Sequence, residues 1–444
     1  MKKLMVLFLV LFLCTPAVAA NWADNLEMGG DVRFRWYQMS NMWDFNDNID
    51  SDNWETFRLR TRIFAKAKVS DDISGFVRLA NQTYGNGVSE AADNTSNKVF
   101  VDNAYITVKD FFGSNMTFQA GRMNLMYGSG FVLFDGNSQF ASTSLYFDGA
   151  KLSIPLGDNA VLDGFYVKDE ENSRDNKSEN DITLGGAYLT AKCPVMGGKQ
   201  ELYVLNRRDE SITKDIWMTG IRLSDKFENG LDYSGEFAYQ FGDFNEDANI
   251  DQEAYGYKLD AGFTLKDALM SPRLFCGYMS LQGDDPDTDE KERWDVFYGG
   301  WPQFGDLLAW KYVQIEDLAP GYNSINNYDP NWAEGSTTTG EAAYSNISMF
   351  SAGIGAQLTK SLSAKFTYGL LTVDEPDYIM IDDEGNEVKI KNDDDFGDYY
   401  QLQAKYGYSK NLSFSVYGAM IDPGDAFITD DDAYELFVET NLKF

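Results

Sequence analysis

The amino-acid sequence predicts an all-β protein, a transmembrane antiparallel β-barrel of eighteen strands with twenty as the alternative. Apolar and polar residues alternate with period two from Leu26 to the last residue, the mark of strands with two unlike faces. Very short connections take turns with long acidic ones along the chain, as periplasmic turns and outer loops do in a membrane barrel. No stretch beyond the first twenty residues approaches the length of apolar sequence that a spanning helix needs, which excludes a helical membrane protein.

The alternation is clearest in 57–69, where Phe57, Leu59, Ile63, Ala65 and Ala67 oppose Arg58, Arg60, Arg62, Lys66 and Lys68. It recurs in 253–265 and in 398–408. Read in order, the strands lie near 26–40, 54–70, 73–84, 98–112, 115–125, 142–156, 159–169, 179–193 and 197–208, then 214–226, 229–242, 253–266, 270–282, 344–360, 362–374, 395–410, 412–422 and 433–444. The short turns between them include Ser70-Asp71-Asp72, Gly113-Ser114, Gly157-Asp158, Gly197-Gly198, Lys360-Ser361 and Lys410-Asn411. The long connections include 41–53, 85–97, 170–178, 243–252, 283–343, 375–394 and 423–432. An even number of strands returns both ends to the periplasm. The alternative of twenty arises because Trp294–Gly300 and Leu307–Ile315 could add a pair. The segment 382–387, flanked by Tyr378–Ile381 and Val388–Ile390, reads as the tip of a protruding hairpin.

Before the first strand, Lys2 and Lys3 precede an apolar run from Leu4 to Leu13, and Pro16 leads into Ala17-Val18-Ala19-Ala20. That is the three-part layout of a secretory signal peptide over 1–20, leaving 21–444 as the barrel. Cleavage strips two lysines from a chain that already carries 37 Lys plus Arg against 70 Asp plus Glu, a net charge of −33. The chain is no disordered acidic protein, because 15% of its residues are aromatic. Its acidity opposes phosphate backbones, so no nucleic-acid partner is expected. It has no histidine, which removes imidazole catalysis and His-bound zinc; no enzyme activity and no cofactor are expected. Cys193 and Cys276 enter an oxidising compartment, but five strands separate them and two unpaired thiols are expected.

A barrel this wide encloses water unless loops fold in, so function turns on inward charge. The first strand places Asp31, Arg33, Arg35 and Tyr37 on one face, and the second adds Arg58, Arg60, Arg62, Lys66 and Lys68, with Arg78 continuing on the third. Facing lipid, each charge would cost roughly 2–4 kcal/mol near midplane, so the wall points inward. Its charges either solvate the lumen, paired with Asp260, Glu236 or a folded-in loop, or guide a solute. Lys258 alternates onto the same side as Asp260. The segment from Tyr127 to Gly136 is too apolar to dangle in water. Folded inward it would set Asp135 against the arginines; otherwise it covers the mouth as an outer loop. The acidic runs at 284–290 and 393–395 lack the spacing and glycine of an EF-hand loop and read as solvated outer loops, bridged by divalent cations to lipopolysaccharide. The chain ends in an amphipathic strand, Tyr434 to Phe444, closing on a free aromatic carboxy-terminus, which resembles the assembly signal of Gram-negative outer-membrane proteins.

Residues 102–154, DNAYITVKDFFGSNMTFQAGRMNLMYGSGFVLFDGNSQFASTSLYFDGAKLSI, resemble the alginate export family of outer-membrane porins. The Ala-Tyr strand, the Ala-Gly-Arg turn into Tyr-Gly and a later Phe-Asp-Gly carry the likeness. The arginine ladder Phe57–Arg62 and the run Val296-Phe297-Tyr298-Gly299-Gly300-Trp301-Pro302 are similar to further parts of that family. The resemblance implies an eighteen-stranded monomeric pore whose arginines, here Arg33, Arg35, Arg58, Arg60, Arg62 and Arg122, contact an anionic sugar chain. Met123 stands where the family usually has Gln.

The expected protein is a passive diffusion channel of the bacterial outer membrane for small hydrophilic or charged solutes, set among outer-membrane lipids and lipopolysaccharide. Selectivity comes from electrostatic focusing. A specific channel for an anionic polysaccharide such as alginate is the alternative, and a barrel sheathing an electron carrier or displaying adhesive loops is a second. Monomer and trimer both stay open at this point. A TonB-dependent transporter would need a plug domain before its first strand, and strand one begins almost directly after the signal.

Overall fold

The computed structural model describes residues 25–41, 45, 53–84, 99–134, 146–170, 181–193, 197–210, 212–299, 305–308, 345–376, 378–381, 387–391, 393–427 and 430–444. In chain order the strands are β1 (Leu26–Ser40), β2 (Trp54–Lys68), β3 (Ile73–Tyr84), β4 (Phe100–Val108), β5 (Thr117–Met123), β6 (Phe147–Pro155), β7 (Ala160–Glu170), β8 (Ile182–Cys193), β9 (Gly197–Asp209) and β10 (Lys214–Lys226). They continue as β11 (Leu231–Asn245), β12 (Ile250–Thr264), β13 (Arg273–Leu281), β14 (Ile347–Gln357), β15 (Leu362–Val373), β16 (Tyr378–Ile381), β17 (Glu387–Ile390), β18 (Asp395–Gly407), β19 (Leu412–Pro423) and β20 (Ala433–Lys443).

Eighteen of them form one antiparallel sheet. It closes where β20 pairs back onto β1, from Asp31↔Lys443 to Ser40↔Tyr434, so no strand edge is left for lipid to meet. The other two, β16 and β17, pair only with each other, Tyr378 opposite Ile390; they are the two arms of the expected hairpin. Twenty barrel strands are excluded, because β13 pairs directly with β14 from Arg273↔Gly355 to Leu281↔Ile347. Of the two runs that could have been strands, 294–299 and 307–308 are buried and project into the lumen, while residues 300 and 309–315 lie outside the described residues.

Period two decides which residues meet lipid. Phe34, Phe57, Leu59, Ile63, Val77 and Leu79 are exposed although large and apolar, while Arg33, Arg35, Arg58 and Arg60 between them are buried. On a strand, neighbouring side chains point to opposite faces, and a bilayer rewards the arrangement that water would penalise. Outward Cys276 is a free, exposed thiol, as expected; the side chain of Cys193 lies outside the described residues.

The buried apolar cluster is inside the barrel, toward its long-loop end. Trp294, Leu307, Leu308, Phe131 and Leu133, from segments between strands, pack there among inward faces of the wall such as Tyr37, Tyr188, Tyr399 and Tyr417. The lumen is therefore divided. Among the described residues, the loop-end half is filled by chain and the short-turn half, the periplasmic half by loop asymmetry, is open.

Candidate functional site: a basic chamber beneath an inward plug

Hairpin register sets the arginine wall. Pairing of β1 with β2 puts Asp31 opposite Arg62, Arg33 opposite Arg60 and Arg35 opposite Arg58. Like charges directly opposite destabilise a sheet, so the ladder needs acids close by. Asp31 supplies one: its Oδ1 accepts from Arg60 Nη2 at 2.8 Å, and its Oδ2 accepts from Arg62 Nε at 2.7 Å. Barrel closure supplies the second, because Glu439 on β20 faces Arg35 across the seam. Its Oε2 is 2.6 Å from Arg35 Nε and 3.8 Å from Arg33 Nε. Arg58 reaches Gln82 Oε1 at 3.5 Å.

The open chamber below the plug has a volume of about 730 Å³. Arg33, Arg35, Arg60 and Arg62 form one side, and Arg273, Lys365, Lys405 and Lys443 come from the facing strands and the seam. Glu439 lies among the lining residues, and just behind them Asp31 pairs with Arg60 and Arg62, Asp232 with Arg273 and Asp306 with Arg35, so among the described residues eight cations are set against four carboxylates. A chain with a net charge of −33 thus keeps its inner cavity positive. Lys66 stands at the periplasmic end, opposite Glu27. Arg78 is inward and paired with Asp102, with Nη2 2.9 Å from Asn124 Oδ1, which fixes the start of the segment after β5.

That segment turns inward, the first of the two placements the sequence allows. Tyr127 donates its hydroxyl to Asp163 Oδ2 at 2.9 Å and stacks on Tyr188 with centroids 4.2 Å apart. Burial and the neighbouring Asp163 carboxylate push the Tyr127 phenol far up, so it stays a donor. Gly128 has φ +58°, and a Cβ there would lie 3.0 Å from Arg222 Cδ and 3.2 Å from Tyr188 OH; only glycine fits both the turn and the gap. Ser129 Oγ then reaches Glu236 Oε2 at 3.4 Å, and the same carboxyl accepts from Tyr203 OH at 3.2 Å and faces Arg222 Nε at 3.5 Å. Glu236 therefore docks the plug and is remote from the arginine ladder. Asp135 lies outside the described residues, and 127–134 rest on the wall of β7 to β11 rather than on β1 and β2.

A second inward segment, 293–299, packs on the first. Leu133 bridges Tyr298 in parallel, Phe134 N donates to Tyr298 O at 2.8 Å, and Phe131 stacks on Trp294 at 5.7 Å. Asp295 anchors it: Oδ2 is 3.1 Å from Arg207 Nη1 and 3.2 Å from Lys214 Nζ, and Oδ1 accepts from Phe297 N at 2.8 Å. Residues 305–308 then reach the ladder, where Asp306 Oδ2 is 3.4 Å from Tyr37 OH and 4.0 Å from Arg35 Nη1. The carboxylate set against the arginines is thus Asp306, with Asp31 and Glu439. Lys258 and Asp260 line a smaller space of about 190 Å³ with Arg273 and Lys365, on the far wall.

Arg122 requires a correction. It pairs with Ala104 and Asp148 in register, while the neighbours Met123 and Phe147 are buried inward, so Arg122 points out of the barrel. There Nε and Nη2 grip Asp148 Oδ1 and Oδ2 at 2.8 and 2.7 Å, and the guanidinium lies 4.0 Å over the Tyr146 ring. A bulge at Arg78/Leu79 opposite Asn103 and Val101 puts Asp102 and Asn103 inward side by side and turns Ala104, the register partner of Arg122, outward; the sequence carries no sign of it. Arg122→Gln is expected to leave ion selectivity unchanged, whereas Arg60→Gln shifts it; reversal potentials of the two variants check this.

Sequence reasoning missed Glu439, Arg207, Lys214, Arg222, Asp295, Asp306 and the facing cations of the chamber. Lys365 and Lys405 each sit on the inward parity near a short turn, and Glu439 alternates with Phe437 and Asn441, so parity carried a signal for them. Asp295 and Asp306 follow no strand and carried none.

A closed, eighteen-stranded barrel with an apolar belt outside, charged walls inside and a constriction of inward segments is an integral outer-membrane channel of the porin class. The chain belongs to the alginate export family, whose model matches residues 24–440. Among solved structures it is similar to a BenF-like porin from Pseudomonas fluorescens Pf-5, at 12% identity over 95% of this chain and 99% of that one, with a TM-score of 0.57. It is likewise similar to the outer membrane protein OprD from Pseudomonas aeruginosa, at 13% identity over 94% of both chains with a TM-score of 0.55. Acinetobacter baumannii OccAB2 is alike at 13% identity over 95% of this chain and 98% of that one, with a TM-score of 0.55. At such identities the likeness is one of fold. No curated protein sequence matches the chain.

Proposed function

We propose that the protein is an anion-selecting channel that passes small carboxylate-bearing solutes without catalysis or a cofactor, with an anionic polysaccharide such as alginate as the alternative cargo. The observation that carries the reading is the surplus of cations at the chamber, eight against the four carboxylates that line it or pair with them. Low-dielectric walls strengthen such a field and concentrate counter-ions within it. Small solutes are favoured over a polymer because the plug fills the loop-end half of the lumen, and a chain can thread the barrel only with those segments displaced. Arg33, Arg35, Arg58, Arg60 and Arg62 supply the anion path, with Lys66 at its periplasmic mouth; Lys258 and Asp260 orient solutes on the far wall. Residues 1–20 act as the export signal, and 21–444 make one barrel domain.

The test is the reversal potential of the refolded full-length barrel in planar bilayers under a salt gradient. Anion preference is expected. Cation preference would mean that the acidic outer loops govern permeation, and the proposal would fall.

A further inference from the structure

We infer that a recess in the far wall of the chamber binds hydrogen phosphate, held by Lys258 and Asp260 of β12, Arg273 of β13, and Lys365 and Thr367 of β15. The inference goes beyond the anion-channel reading, because it gives the channel a bound ion of a second class. The recess follows from register. Asp260, Gly277, Ser351 and Gly369 lie side by side across β12 to β15, and the next row toward the periplasm holds Gly262, Phe275, Gly353 and Thr367. Both rows face inward, since Leu259, Leu274, Phe350 and Phe366 on the other parity are exposed to lipid. At Gly277 a Cβ would lie 2.8 Å from Asp260 Oδ1 and 3.2 Å from Ser351 Oγ, so the missing side chain leaves two polar groups over one hollow. The cavity there has a volume of about 190 Å³. Arg273, Phe275 and Lys365 line both it and the chamber, so it adjoins the path that solutes take.

Three groups in the recess have donors that the protein does not use. Thr367 is 6% exposed, and its Oγ1 has no hydrogen-bond partner among the described residues; a buried hydroxyl left so is costly unless a ligand meets it. Lys365 Nζ lies 4.7 Å over the Phe275 ring, with no carboxylate within ion-pairing distance among the described residues, and the like charges of Arg273 and Lys258 bear on it. Arg273 donates Nε and Nη2 to Asp232 at 3.0 and 2.5 Å, which leaves Nη1 outside that pair. A carboxylate presents two oxygens to this set of three cations and a hydroxyl. Hydrogen phosphate presents three and keeps a P–OH, and both Arg and Lys bind phosphate oxygens well. Asp260 then chooses among dianions. An ionised carboxylate only accepts, so Asp260 repels sulfate, which has no proton to give, and accepts from the P–OH of hydrogen phosphate. An acid that would spoil a general anion site thereby becomes the element that discriminates.

The test is made on single channels of the refolded full-length barrel in planar bilayers carrying chloride, at about pH 8, where phosphate is mostly the dianion. A bound dianion cancels part of the chamber's positive field and lowers the current. Inorganic phosphate on the periplasmic side is expected to act at concentrations roughly tenfold or more below those of sulfate or acetate, the contribution of one hydrogen bond to a charged group. Thr367→Val keeps shape and strand propensity and should weaken the phosphate effect by a similar factor with the reversal potential unchanged. Asp260→Asn should bring sulfate level with phosphate; it also stands in if Thr367→Val does not refold. Glycerol 3-phosphate separates free phosphate from its esters: its dianion has no P–OH and should act as weakly as sulfate. Phosphate no stronger than sulfate in the wild type, an ester as strong as phosphate, or a phosphate effect untouched by Thr367→Val overturns the inference. The channel reading is decided apart from these, by the wild-type anion preference.

Discussion

Replacing Arg58, Arg60 and Arg62 together by glutamine is expected to lower the ratio of anion to cation permeability by about tenfold or more at low salt. A unit charge about 10 Å from the permeating ion, across an effective dielectric of about 20, contributes roughly 1.7 kcal/mol, and 1.4 kcal/mol is a factor of ten. The triple substitution does more than subtract three charges. Arg60 and Arg62 are the partners of Asp31, and without them a buried carboxylate faces the chamber alone. Adding Asp31→Asn should recover part of the lost anion preference, which separates the charge of the ladder from the repulsion by its orphaned acid. The measurement is the reversal potential of both variants at about 0.05 M salt, where the screening length exceeds 10 Å. An unchanged potential in the triple variant would sink the claim that this wall selects.

Asp295→Asn is expected to release the 293–299 segment and to give long-lived states of higher conductance. The carboxylate is shared by Arg207 and Lys214 with side chains 7% and 0% exposed. Neutralising one partner of a buried pair costs about 3–5 kcal/mol because the others stay charged, so the docked state should lose at least about 100-fold in population relative to the undocked one. The pH dependence has a definite sign. Burial raises the Asp295 carboxyl, but Arg207, Lys214 and the Phe297 N–H outweigh it and hold it below its ordinary 3.8. A depressed folded-state value stabilises docking at every pH above that ordinary value, and the stabilisation fades as pH falls through the lowered one. Wild-type conductance should therefore be flat from neutral pH down to about pH 4 and rise only below it, whereas Asp295→Asn should be high throughout. Single-channel traces across that range decide it.

What could be read beforehand was whatever depends on parity. Phe57 to Lys68 alternates with Phe64 as the one apolar residue on the charged parity, and its inward charges and outward apolar residues followed at once from the cost of charge in lipid. Parity allowed eighteen strands or twenty, and the direct pairing of β13 with β14 decided for eighteen. The inward place that the family resemblance implied for Arg122 failed, because a bulge in β4, of which alternation in the sequence carries no sign, leaves Arg122 on the outer face. Parity was silent on the plug, since Asp295 and Asp306 take their places from contacts with strands far off in sequence: Asp306 lies 269 residues from Tyr37. The apolar character of Tyr127 to Phe134 showed that the segment is buried, but not on which wall, because the wall offered by Asp163, Glu236 and Gly128's close approach exists only once the barrel is formed.

The ladder's acid partner across the seam ties assembly to electrostatics. Arg35 belongs to the first strand and Glu439 to the last, and they meet only when β20 pairs with β1. Until then Arg33 and Arg35 lack the Glu439 carboxylate, and an unclosed sheet would present less fully compensated guanidinium groups to the membrane interior. The final zipping step therefore carries an electrostatic driving force beyond its backbone hydrogen bonds, and an unfinished intermediate is held back in water, where those charges are solvated. Completion of the barrel and pairing of the basic wall with its acid across the seam are then a single event, so the chamber takes its final charge only when the last strand meets the first.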